Sequence, residues 1–412
     1  MSSYLHLHRK NSVIGTIQQL SSSKSISNRA LLLKALSGSK SIVQNVSIAR
    51  DTQLMLRLVD SPEKTIDVLD AGTTMRFLTA YFALTGKNKI MTGTDRMKER
   101  PIGLLVDALR KLGASIEYLG VEGFPPVEVK GFSQQRTSEI EIPGNVSSQY
   151  ISALMMVAPI LPKGLVIKLK GEVGSVPYIR MTASLMEDFG AHPELNFEKG
   201  FIKVENQSYQ SATVTVEADW SSASYWFGFA SLAEQADIIL PNVSEKSLQG
   251  DRVIVEVMDQ VGVHAQFQNG HARLTKKQAT NHLIWDFKDC PDLAQTVLPA
   301  CAAKGITGEF TGLESLRIKE TDRIAALQTE LKKIGAELTE PTTGKWKLTP
   351  GKIPNQTISI STYHDHRMAM GFAPWAALTD LNIEAPEVVN KSYPTFWDDL
   401  KSVGFEIKRE GN

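Results

Sequence analysis

Two kinds of helix-forming stretch alternate along this 412-residue chain, and short strand-forming runs separate them. The first kind starts at a small or polar capping residue and is densely apolar, which predicts buried helices. These predicted helices are Ser27–Leu36, Thr73–Leu84, Ser147–Ile160, Ser221–Leu232, Asp292–Ala303 and His366–Leu378. The strands predicted to follow them are Ser41–Val46, Lys89–Thr92, Leu165–Leu169, Asp237–Leu240, Gly308–Thr311 and Asn382–Glu384. The second kind has apolar residues at helical spacing and ends at glycine plus an apolar residue, as in Leu112-Gly113-Ala114, before another strand.

The alternation repeats at a nearly constant period. The first-kind helices begin near residues 27, 73, 147, 221, 292 and 366, so the intervals are 46, 74, 74, 71 and 74 residues. Internal repeats of this kind predict one supersecondary unit used several times, here of the form β-α-β-α-β-β. The first copy is short, because Thr52–Asp70 has room for a helix at Gln53–Val59 but little for the strands that should follow.

Six units divide naturally into two groups of three, which predicts two similar α/β domains. We place one at residues 21–218 and the other, discontinuous, at residues 1–20 plus 219–412. The N-terminal strand Tyr4–Arg9 is expected to pair with the last strand near Phe405–Arg409. Parallel first-kind helices would point their positive N-termini towards a cleft between the domains, which would favour a multiply anionic ligand. Periodicity alone leaves open that helix direction is set by the fold and has no functional meaning.

Composition narrows the function classes. The chain is 42% hydrophobic and 22% charged, and Lys plus Arg equals Asp plus Glu at 45 each, so no basic field points to nucleic acid. The two cysteines, Cys290 and Cys301, are predicted to be packing residues of a protein in the reducing cytoplasm. The N-terminal stretch lacks the apolar core of a signal peptide, and the longest apolar stretches are too short to span a bilayer.

In the first half of the chain, polar and cationic residues collect at the starts of the repeated helices. Lys24, Ser25 and Arg29 bracket one helix start, and a lysine and an arginine there strengthen its attraction for phosphate or carboxylate. The other positions are Gly72, which lets a ligand approach the backbone, Arg100 in a charged turn before a helix with Pro101 at its first position, Ser147, Ser148, Gln149 and Ser175. Ordinary capping or a solvated surface explains each of them equally well when it is taken alone.

The second half carries the acids. Asp292 stands at a helix start, and Glu320 lies among the cations Arg317, Lys319 and Arg323. A carboxylate among cations is suited to acid–base work, although an N-cap and surface ion pairs are the simpler alternatives. Further cations are Arg367 and Lys391. A metal site at His364-Asp365-His366 is not expected, because no third ligand is evident.

Taken in order, these motifs resemble those of the 5-enolpyruvylshikimate-3-phosphate synthase family. The resemblance runs from residue 21 to residue 394 and rests on these segments: Ser23-Lys24-Ser25-Ile26-Ser27-Asn28-Arg29, Ala71-Gly72-Thr73, Arg96-Met97-Lys98-Glu99-Arg100-Pro101, Ser147-Ser148-Gln149, Pro291-Asp292, Lys319-Glu320-Thr321-Asp322-Arg323, Asp365-His366-Arg367-Met368-Ala369 and Lys391-Ser392. It implies an inside-out α/β fold of two domains, each with three repeats, and an active site between them. It also implies transfer of the enolpyruvyl group of phosphoenolpyruvate to shikimate 3-phosphate, a step towards chorismate and the aromatic amino acids.

The resemblance assigns roles residue by residue. Shikimate 3-phosphate would contact Lys24, Ser25, Arg29, Ser147, Ser148, Gln149, Ser175, Asp292 and Lys319. Phosphoenolpyruvate would contact Lys24, Gly72, Arg100, Gln149, Arg323, Arg367 and Lys391. Asp292 would be the base on the 5-hydroxyl, and either Lys24 or Glu320 would transfer the proton at carbon C3. No metal or organic cofactor is needed for this chemistry, and we expect a monomer without nucleic-acid or membrane partners.

Two departures from the family's pattern stand close to the implied site. The family usually has asparagine where this chain has Asp70 and Ser315, and it has some two dozen more residues in the first repeat.

Two alternative functions remain open: that of the related enolpyruvyl transferase for UDP-N-acetylglucosamine, and that of a non-catalytic anion-binding protein on the same scaffold. Gly72 leaves room beside the implied phosphoenolpyruvate site, so we expect sensitivity to glyphosate.

Overall fold

The computed structural model describes residues 4–38 and 40–410 and alternates strands and helices along the chain. Within those ranges the strands are β1 (Tyr4–Leu7), β2 (Ser12–Thr16), β3 (Ile42–Gln44), β4 (Thr65–Asp67), β5 (Lys89–Thr92), β6 (Ala114–Tyr118), β7 (Val127–Phe132), β8 (Glu139–Pro143), β9 (Leu165–Lys170), β10 (Glu194–Asn196), β11 (Phe201–Val204), β12 (Thr213–Thr215), β13 (Gln235–Pro241), β14 (Val263–Gln268), β15 (His271–Lys276), β16 (His282–Asp286), β17 (Thr307–Thr311), β18 (Glu337–Thr342), β19 (Lys345–Thr349), β20 (Ile358–Ile360), β21 (Leu381–Glu384) and β22 (Ile407–Glu410).

The helices in the described part of the chain match the two kinds that the sequence predicts. They are α1 (Lys24–Ser37), α2 (Arg50–Leu58), α3 (Gly72–Leu84), α4 (Asp95–Lys98), α5 (Gly103–Leu112), α6 (Ser148–Val157), α7 (Val176–Asp188), α8 (Trp220–Leu232), α9 (Ile254–Gln260), α10 (Ala294–Lys304), α11 (Arg323–Leu331), α12 (His366–Phe372) and α13 (Phe396–Ser402). Short 3₁₀ helices extend several of them or stand in the connections: Ala158–Ile160, Gly250–Val253, Pro291–Leu293, Glu314–Ile318, Lys332–Ile334, Ala373–Ala377 and Pro386–Lys391.

One expectation about helix position is wrong. Pro101 does not open a helix, because α5 begins at Gly103 with Ile102 as its N-cap. The charged turn before it is itself the short helix α4, which Thr94 caps by accepting a hydrogen bond from the Met97 N–H. The charged residues that the sequence predicted to form only the turn before a helix therefore form a short helix of their own.

The strands form sheets that repeat one order. Among the described residues the four-stranded sheets are β4-β5-β7-β6, β8-β9-β11-β10, β2-β13-β15-β14, β16-β17-β19-β18 and β20-β21-β1-β22. The first two strands of each sheet are parallel, and the other pairs are antiparallel. A first-kind helix connects most of the parallel pairs, and in four of these sheets a hairpin supplies the last two strands, as the predicted β-α-β-α-β-β unit requires.

The shortened first repeat has a structural counterpart. Its sheet has two described strands, β3 paired in parallel with β12, because after α2 the chain enters β4 of the next sheet. The last repeat is completed from the other end of the chain, where β1 pairs antiparallel with β22 and Leu7 stands opposite Ile407. This confirms the pairing expected between the N-terminal strand and the last strand.

The described residues form two compact units. One unit takes the described residues of Met1–Ser22, Ile48–Arg50 and Glu217–Asn412, and we call it the acidic unit because it holds Asp292 and Glu320. The other takes those of Ser23–Ser47 and Asp51–Val216, and we call it the lysine unit after Lys24. The strand before α1 pairs with β13 in the acidic unit, and the strand before α8 pairs with β3 in the lysine unit. Both strands therefore pair within their own unit, and the chain passes from one unit to the other after each of them.

Each unit has its own hydrophobic core, and the first-kind helices supply much of it. In α3 and α8, twelve of thirteen residues are buried, which explains why their apolar positions showed no amphipathic stripe. The strands alternate buried and exposed positions, as in β9 and β19, so each sheet presents one face to the helices and one to solvent. Helices inside and sheets outside are the inside-out arrangement expected from the sequence. No described helix is long and apolar enough to cross a membrane.

Candidate active site

In the lysine unit, the N-terminal ends of four buried helices carry the predicted anion-binding residues. Ser23 caps α1, so that Lys24 is the first residue of that helix. The Lys24 Nζ lies 3.2 Å from Oδ2 of Asp51 on α2, and the Thr74 hydroxyl of α3 donates to the Asp51 carbonyl. These contacts hold the ammonium group beside the first turn of α3. The sequence motif predicted Lys24, but nothing in it indicated Asp51 as its partner.

Arg29 is a buried cation held by hydroxyls and a carbonyl. Its Nε donates to Thr182 Oγ1 at 2.7 Å, one terminal nitrogen donates to Ser152 Oγ at 3.1 Å, and the other donates to the Ser25 carbonyl at 3.0 Å. The guanidinium also lies over the rings of Phe77 and Tyr178. Burial lowers the pKa of Arg29 to about 10. Because three N–H groups use neutral partners, the positive charge is not compensated by these contacts and two further N–H groups remain for an anion.

Gly72 and Arg100 lie against each other. Gly72 opens α3, and a Cβ placed on it would lie 2.8 Å from both terminal nitrogens of Arg100. Arg100 is 8% exposed; its Nε has no hydrogen-bond partner in the described structure, and one terminal nitrogen makes a long 3.4 Å contact with the Asp70 carbonyl. The absent side chain of Gly72 therefore makes the space that the Arg100 guanidinium uses.

The α6 and α7 starts complete the lysine unit's set. Ser147 caps α6, Ser148 is its first residue, and Gln149 Nε2 donates to Thr73 Oγ1 at 3.0 Å, which brings Gln149 next to Gly72. Ser175 precedes α7 in the left-handed region, with φ 54°, and its side chain makes no capping bond. Backbone strain of this kind is common where a segment binds a ligand.

In the acidic unit, Asp292 is surrounded by cations. It lies in the 3₁₀ turn before α10, where its Oδ1 accepts from Arg323 at 2.8 Å and its Oδ2 accepts from Arg367 at 2.9 Å. The Lys319 Nζ is 3.7 Å from Oδ1. Asp292 is therefore more than the helix cap that its position suggested.

The pKa of Asp292 reflects these neighbours. Burial by itself would raise it, but the charges of Arg367, Lys319 and Arg323 outweigh burial and hold the pKa well below its usual range. For Lys319 the balance is reversed, since burial lowers its pKa more than Asp292 raises it. Asp292 is thus ionised at neutral pH and able to receive a proton, but its basicity is suppressed while it holds all three cations.

Arg323 links three carboxylates. It is 1% exposed; its Nε donates to Asp365 at 2.7 Å, and its terminal nitrogens donate to Asp292 and to Glu320, each at 2.8 Å. One of those nitrogens also reaches the second Asp365 oxygen at 3.3 Å. Asp365 also caps α12, so the cap of one helix holds the side chain of Arg323, the first residue of α11. At most one N–H of Arg323 remains for a substrate.

Arg367 and Lys391 close the acidic unit's set. Arg367 contacts the Tyr225 hydroxyl at 3.2 Å and Ser221 Oγ at 3.3 Å as well as Asp292. Lys391 is 2% exposed, and its Nζ lies 3.8 Å from Glu320 Oε1. Within this unit, the structure therefore brings together every predicted residue from Asp292 to Lys391.

Sequence reasoning missed the groups that support this set. Asp251 is a buried carboxyl that accepts from the Ser221 hydroxyl, and burial together with Asp292 raises its pKa to about 6. Ser221 and Tyr225 were visible only as parts of a predicted helix, and the three residues between them give no signal of a charged partner. A serine and a tyrosine four residues apart on one helix face would have been the only clue.

Comparisons with known proteins identify the same family that the sequence motifs resemble. The family model described as EPSP synthase (3-phosphoshikimate 1-carboxyvinyltransferase) matches residues 7–61 and 57–400. A Bacteroides fragilis protein named 3-phosphoshikimate 1-carboxyvinyltransferase is 48% identical over 393 residues, which cover 95% of each chain. An Escherichia coli protein of the same name is 36% identical over 421 residues, covering 95% of this chain and 96% of its own.

A solved structure supports the fold. EPSP synthase from Acinetobacter baumannii superimposes with a TM-score of 0.79 at 21% identity and covers 100% of both chains. At that identity the similarity shows only the two-domain inside-out architecture. The family model and the two relatives also show the family. The chain belongs to the EPSP synthase (3-phosphoshikimate 1-carboxyvinyltransferase) family.

Proposed function

We propose that the two groups of side chains described above serve one reaction, the transfer of the enolpyruvyl group from phosphoenolpyruvate to the 5-hydroxyl of shikimate 3-phosphate. Family membership supports the reaction, and the two alternatives from the sequence are not favoured. The observation that carries the residue assignment is Asp292, an ionised carboxylate held within 2.9 Å of two arginines.

The chemistry requires proton transfers in both directions. In the addition, the 5-hydroxyl loses its proton as its oxygen bonds to C2 of phosphoenolpyruvate, and C3 gains a proton to become a methyl group. In the elimination, the methyl loses a proton, the bond from C2 to the phosphate oxygen breaks, and phosphate leaves. Positioned acid–base groups and cations around the charged intermediate are therefore what the protein must supply.

We assign Asp292 as the base for the 5-hydroxyl. A carboxylate with a strongly lowered pKa is a weak base, and Arg367, Lys319 and Arg323 cause that lowering. Substrate anions that share these cations would draw charge away from Asp292 and raise its basicity when both substrates are bound. On this proposal the three cations keep Asp292 ionised before binding and release it as a base afterwards.

We assign shikimate 3-phosphate to the helix starts of the lysine unit, with two contacts from the acidic unit. The proposed contacts are Lys24, Ser25, Arg29, Ser147, Ser148, Gln149, Ser175, Asp292 and Lys319. Arg29 supports this most strongly, since it is a buried cation whose described contacts are neutral and which retains two N–H groups. Helix N-termini with hydroxyl residues are suited to phosphate.

We assign phosphoenolpyruvate to the arginine-rich positions. The proposed contacts are Lys24, Gly72, Arg100, Gln149, Arg323, Arg367 and Lys391. Arg100 has an unpartnered Nε and stands beside the space at Gly72, so it is suited to a carboxylate or phosphate. Arg323 would contribute at most one N–H, because Asp365, Glu320 and Asp292 use the others.

Two residues compete for the proton transfer at C3. Lys24 carries an ammonium group beside Asp51, and Glu320 is held between Arg323 and Lys391. Turnover in D₂O separates them, because C3 takes a solvent proton during addition and returns one of three during elimination. We expect wild-type turnover to leave deuterium in the enolpyruvyl methylene.

The two conservative variants Lys24→Met and Glu320→Gln provide the comparison. The residue responsible should, when replaced, suppress deuterium incorporation at C3 while shikimate 3-phosphate binding by titration calorimetry changes less. If wild-type protein with both substrates in D₂O released no phosphate, the proposed function would be wrong. If it turned over and both variants matched it in exchange rate, only the C3 assignment would fail.

We also propose the oligomeric state, the domain boundaries and the location of the enzyme. We propose a monomer with the domain boundaries predicted above, working in the cytoplasm on these two small molecules. Both cysteines are buried, and burial raises the pKa of the Cys290 and Cys301 thiols to about 12, which fits packing roles without disulfides. Sedimentation of the purified chain tests the oligomeric state.

A further inference from the structure

Two histidines and an aspartate of the acidic unit lie together outside the candidate active site. The Nε2 atom of His6 is 3.8 Å from Oδ2 of Asp380, and Nδ1 of His8 is 4.0 Å from the same oxygen. One ligand atom from each of the three residues lies within 4.8 Å of the others. This is the only such group of histidine, cysteine or acidic residues in the described parts of the chain.

Strand register places these residues on one face of the sheet. His6 of β1 stands opposite Asn382 of β21 on one side and Lys408 of β22 on the other. Side chains two residues apart share a face, so the same antiparallel registers carry His8 opposite Asp380 and Glu406. The His8 N–H donates to the Glu406 carbonyl at 3.0 Å, which supports this extension. The cluster therefore follows from backbone pairing as well as from side-chain positions.

Hydrogen bonds fix which nitrogen of His6 faces Asp380. The Asn382 amide nitrogen donates to Ser359 Oγ at 3.2 Å, so its oxygen is the atom 2.7 Å from His6 Nδ1. Nδ1 must therefore carry a proton to donate, and in the neutral imidazole the Nε2 lone pair then faces the Asp380 carboxylate. Two acceptors that face each other repel, and a proton on Nε2 would be too far from Oδ2 for a hydrogen bond at 3.8 Å. A cation between the two atoms satisfies both.

Asp380 has a hydrogen-bonded supporting partner as well, and His8 lies near a carboxylate. The second oxygen of Asp380 accepts from the Arg9 backbone N–H at 2.6 Å, which leaves Oδ2 directed at the histidines. The Nε2 atom of His8 is 3.8 Å from the Glu406 carboxylate, so Nδ1 is the nitrogen on the Asp380 side. A carbonyl or carboxylate hydrogen-bonded behind a ligating histidine is the usual outer support of a protein metal site, and Asn382 supplies it for His6.

We propose that His6, His8 and Asp380 bind a divalent first-row transition ion of the Zn²⁺ class. Two imidazoles and a carboxylate suit such an ion better than Mg²⁺ or Ca²⁺, which prefer oxygen ligands. Tetrahedral ligands about 2.1 Å from zinc are roughly 3.4 Å apart, so the two contacts at Asp380, 3.8 and 4.0 Å, need to shorten by about 0.4 and 0.6 Å. Water would fill the fourth position.

The ion would join β1 to the segment before β21. His6 and His8 lie close to the chain's beginning, while Asp380 follows the 3₁₀ turn of Ala373–Ala377. None of these three residues belongs to the proposed reaction, so binding is expected to stabilise the acidic unit without entering the chemistry. An ion that binds only the folded chain stabilises it in proportion to the logarithm of the ratio of free ion to Kd, and so raises its thermal midpoint.

The test uses the full-length, tag-free chain after treatment with a chelator. Titration calorimetry with ZnCl₂ should give one site per chain, and CoCl₂ should give the visible absorption of a four-coordinate Co²⁺ centre. The variants His6→Gln and His8→Gln should each weaken Zn²⁺ binding at least tenfold. His282→Gln is the matched control, because His282 is an exposed strand histidine whose Nδ1 contacts Thr307 and which has no place in the cluster.

A second variant tests the arrangement beyond mere metal affinity. Asn382→Leu removes the acceptor of His6 Nδ1 without removing a ligand, and we expect 10- to 100-fold weaker binding and an altered Co²⁺ spectrum. Absence of Zn²⁺ binding by the wild-type chain at 100 µM, or equal binding by wild type, His6→Gln and His8→Gln, would overturn the proposal. Equal loss in the His282→Gln control would also overturn it, since binding would then not depend on this cluster.

Discussion

Replacing Gly72 by alanine tests the contact between the start of α3 and Arg100. The new Cβ would lie 2.8 Å from both terminal nitrogens of Arg100 and 2.6 Å from one of Arg76. Ordinary contact begins near 3.4 Å, so the Arg100 guanidinium must move by roughly 0.6 Å, that is, from 2.8 to 3.4 Å. The movement is permitted, because one long bond to the Asp70 carbonyl is the contact that its terminal nitrogens make.

We expect Gly72→Ala to weaken phosphoenolpyruvate binding more than it changes the free energy of unfolding. A displaced guanidinium loses much of a hydrogen bond to a charged group, worth about 1.5–3 kcal/mol, which corresponds to roughly 10- to 150-fold in affinity. We therefore expect the KM for phosphoenolpyruvate to rise by about that factor. Alanine is favoured over glycine inside a helix by about 0.5–1 kcal/mol, which offsets the strain at Arg100. The free energy of unfolding should thus change by less than about 1 kcal/mol.

Steady-state phosphate release at varied phosphoenolpyruvate measures the first quantity, and urea denaturation measures the second. Gly103→Ala is a matched control, because Gly103 is also the first residue of a helix but its Cβ would meet Gly123 and Tyr118 rather than a cation. The control should leave KM within about twofold of wild type. An unchanged KM in Gly72→Ala, or a matching rise in Gly103→Ala, would refute the reasoning about Arg100.

Three further predictions follow from the site. Asp292→Asn should keep shikimate 3-phosphate binding and lower kcat by about 10²- to 10⁴-fold, measured by calorimetry and phosphate release; an unchanged rate would contradict its role as base. Asp251→Asn should stabilise the chain increasingly between about pH 4 and pH 6, because the raised pKa of buried Asp251 means that ionisation costs the folded state stability as pH rises from the unfolded pKa of 3.8 to about 6. Denaturant midpoints of both proteins from pH 4 to pH 8 check this, and a pH-independent difference would contradict it. Millimolar glyphosate should inhibit the wild type and inhibit Gly72→Ala less; full wild-type activity would contradict the space inferred at Gly72.

The repeat made much of the fold predictable. A first-kind helix with dense apolar positions can only be buried, and the constant spacing of about 74 residues showed that such helices recur. The positions of α3 and β5 were predicted to within a residue. Helix α5 was misplaced, because a local capping bond from Thr94 created the separate helix α4 and moved the helix start past Pro101.

From the sequence, only the site residues that lie at helix starts or in motifs could be predicted. Asp292 and Arg323 each stand in a motif, but neither motif indicates that Arg323 binds Asp292, Glu320 and Asp365 at once. Arg29 donates hydrogen bonds to Ser152 and Thr182, and both of these residues lie more than 120 residues from Arg29 in the chain. Such contacts depend on how the repeats pack within a unit, and no local pattern encodes that.

The most direct test of the account measures phosphate release from phosphoenolpyruvate by the purified chain, with and without shikimate 3-phosphate. We expect release only when both substrates are present, with the enolpyruvyl ether of shikimate 3-phosphate formed in equal amount. No release from a chain that still binds shikimate 3-phosphate, or release that does not depend on it, would contradict the proposed reaction.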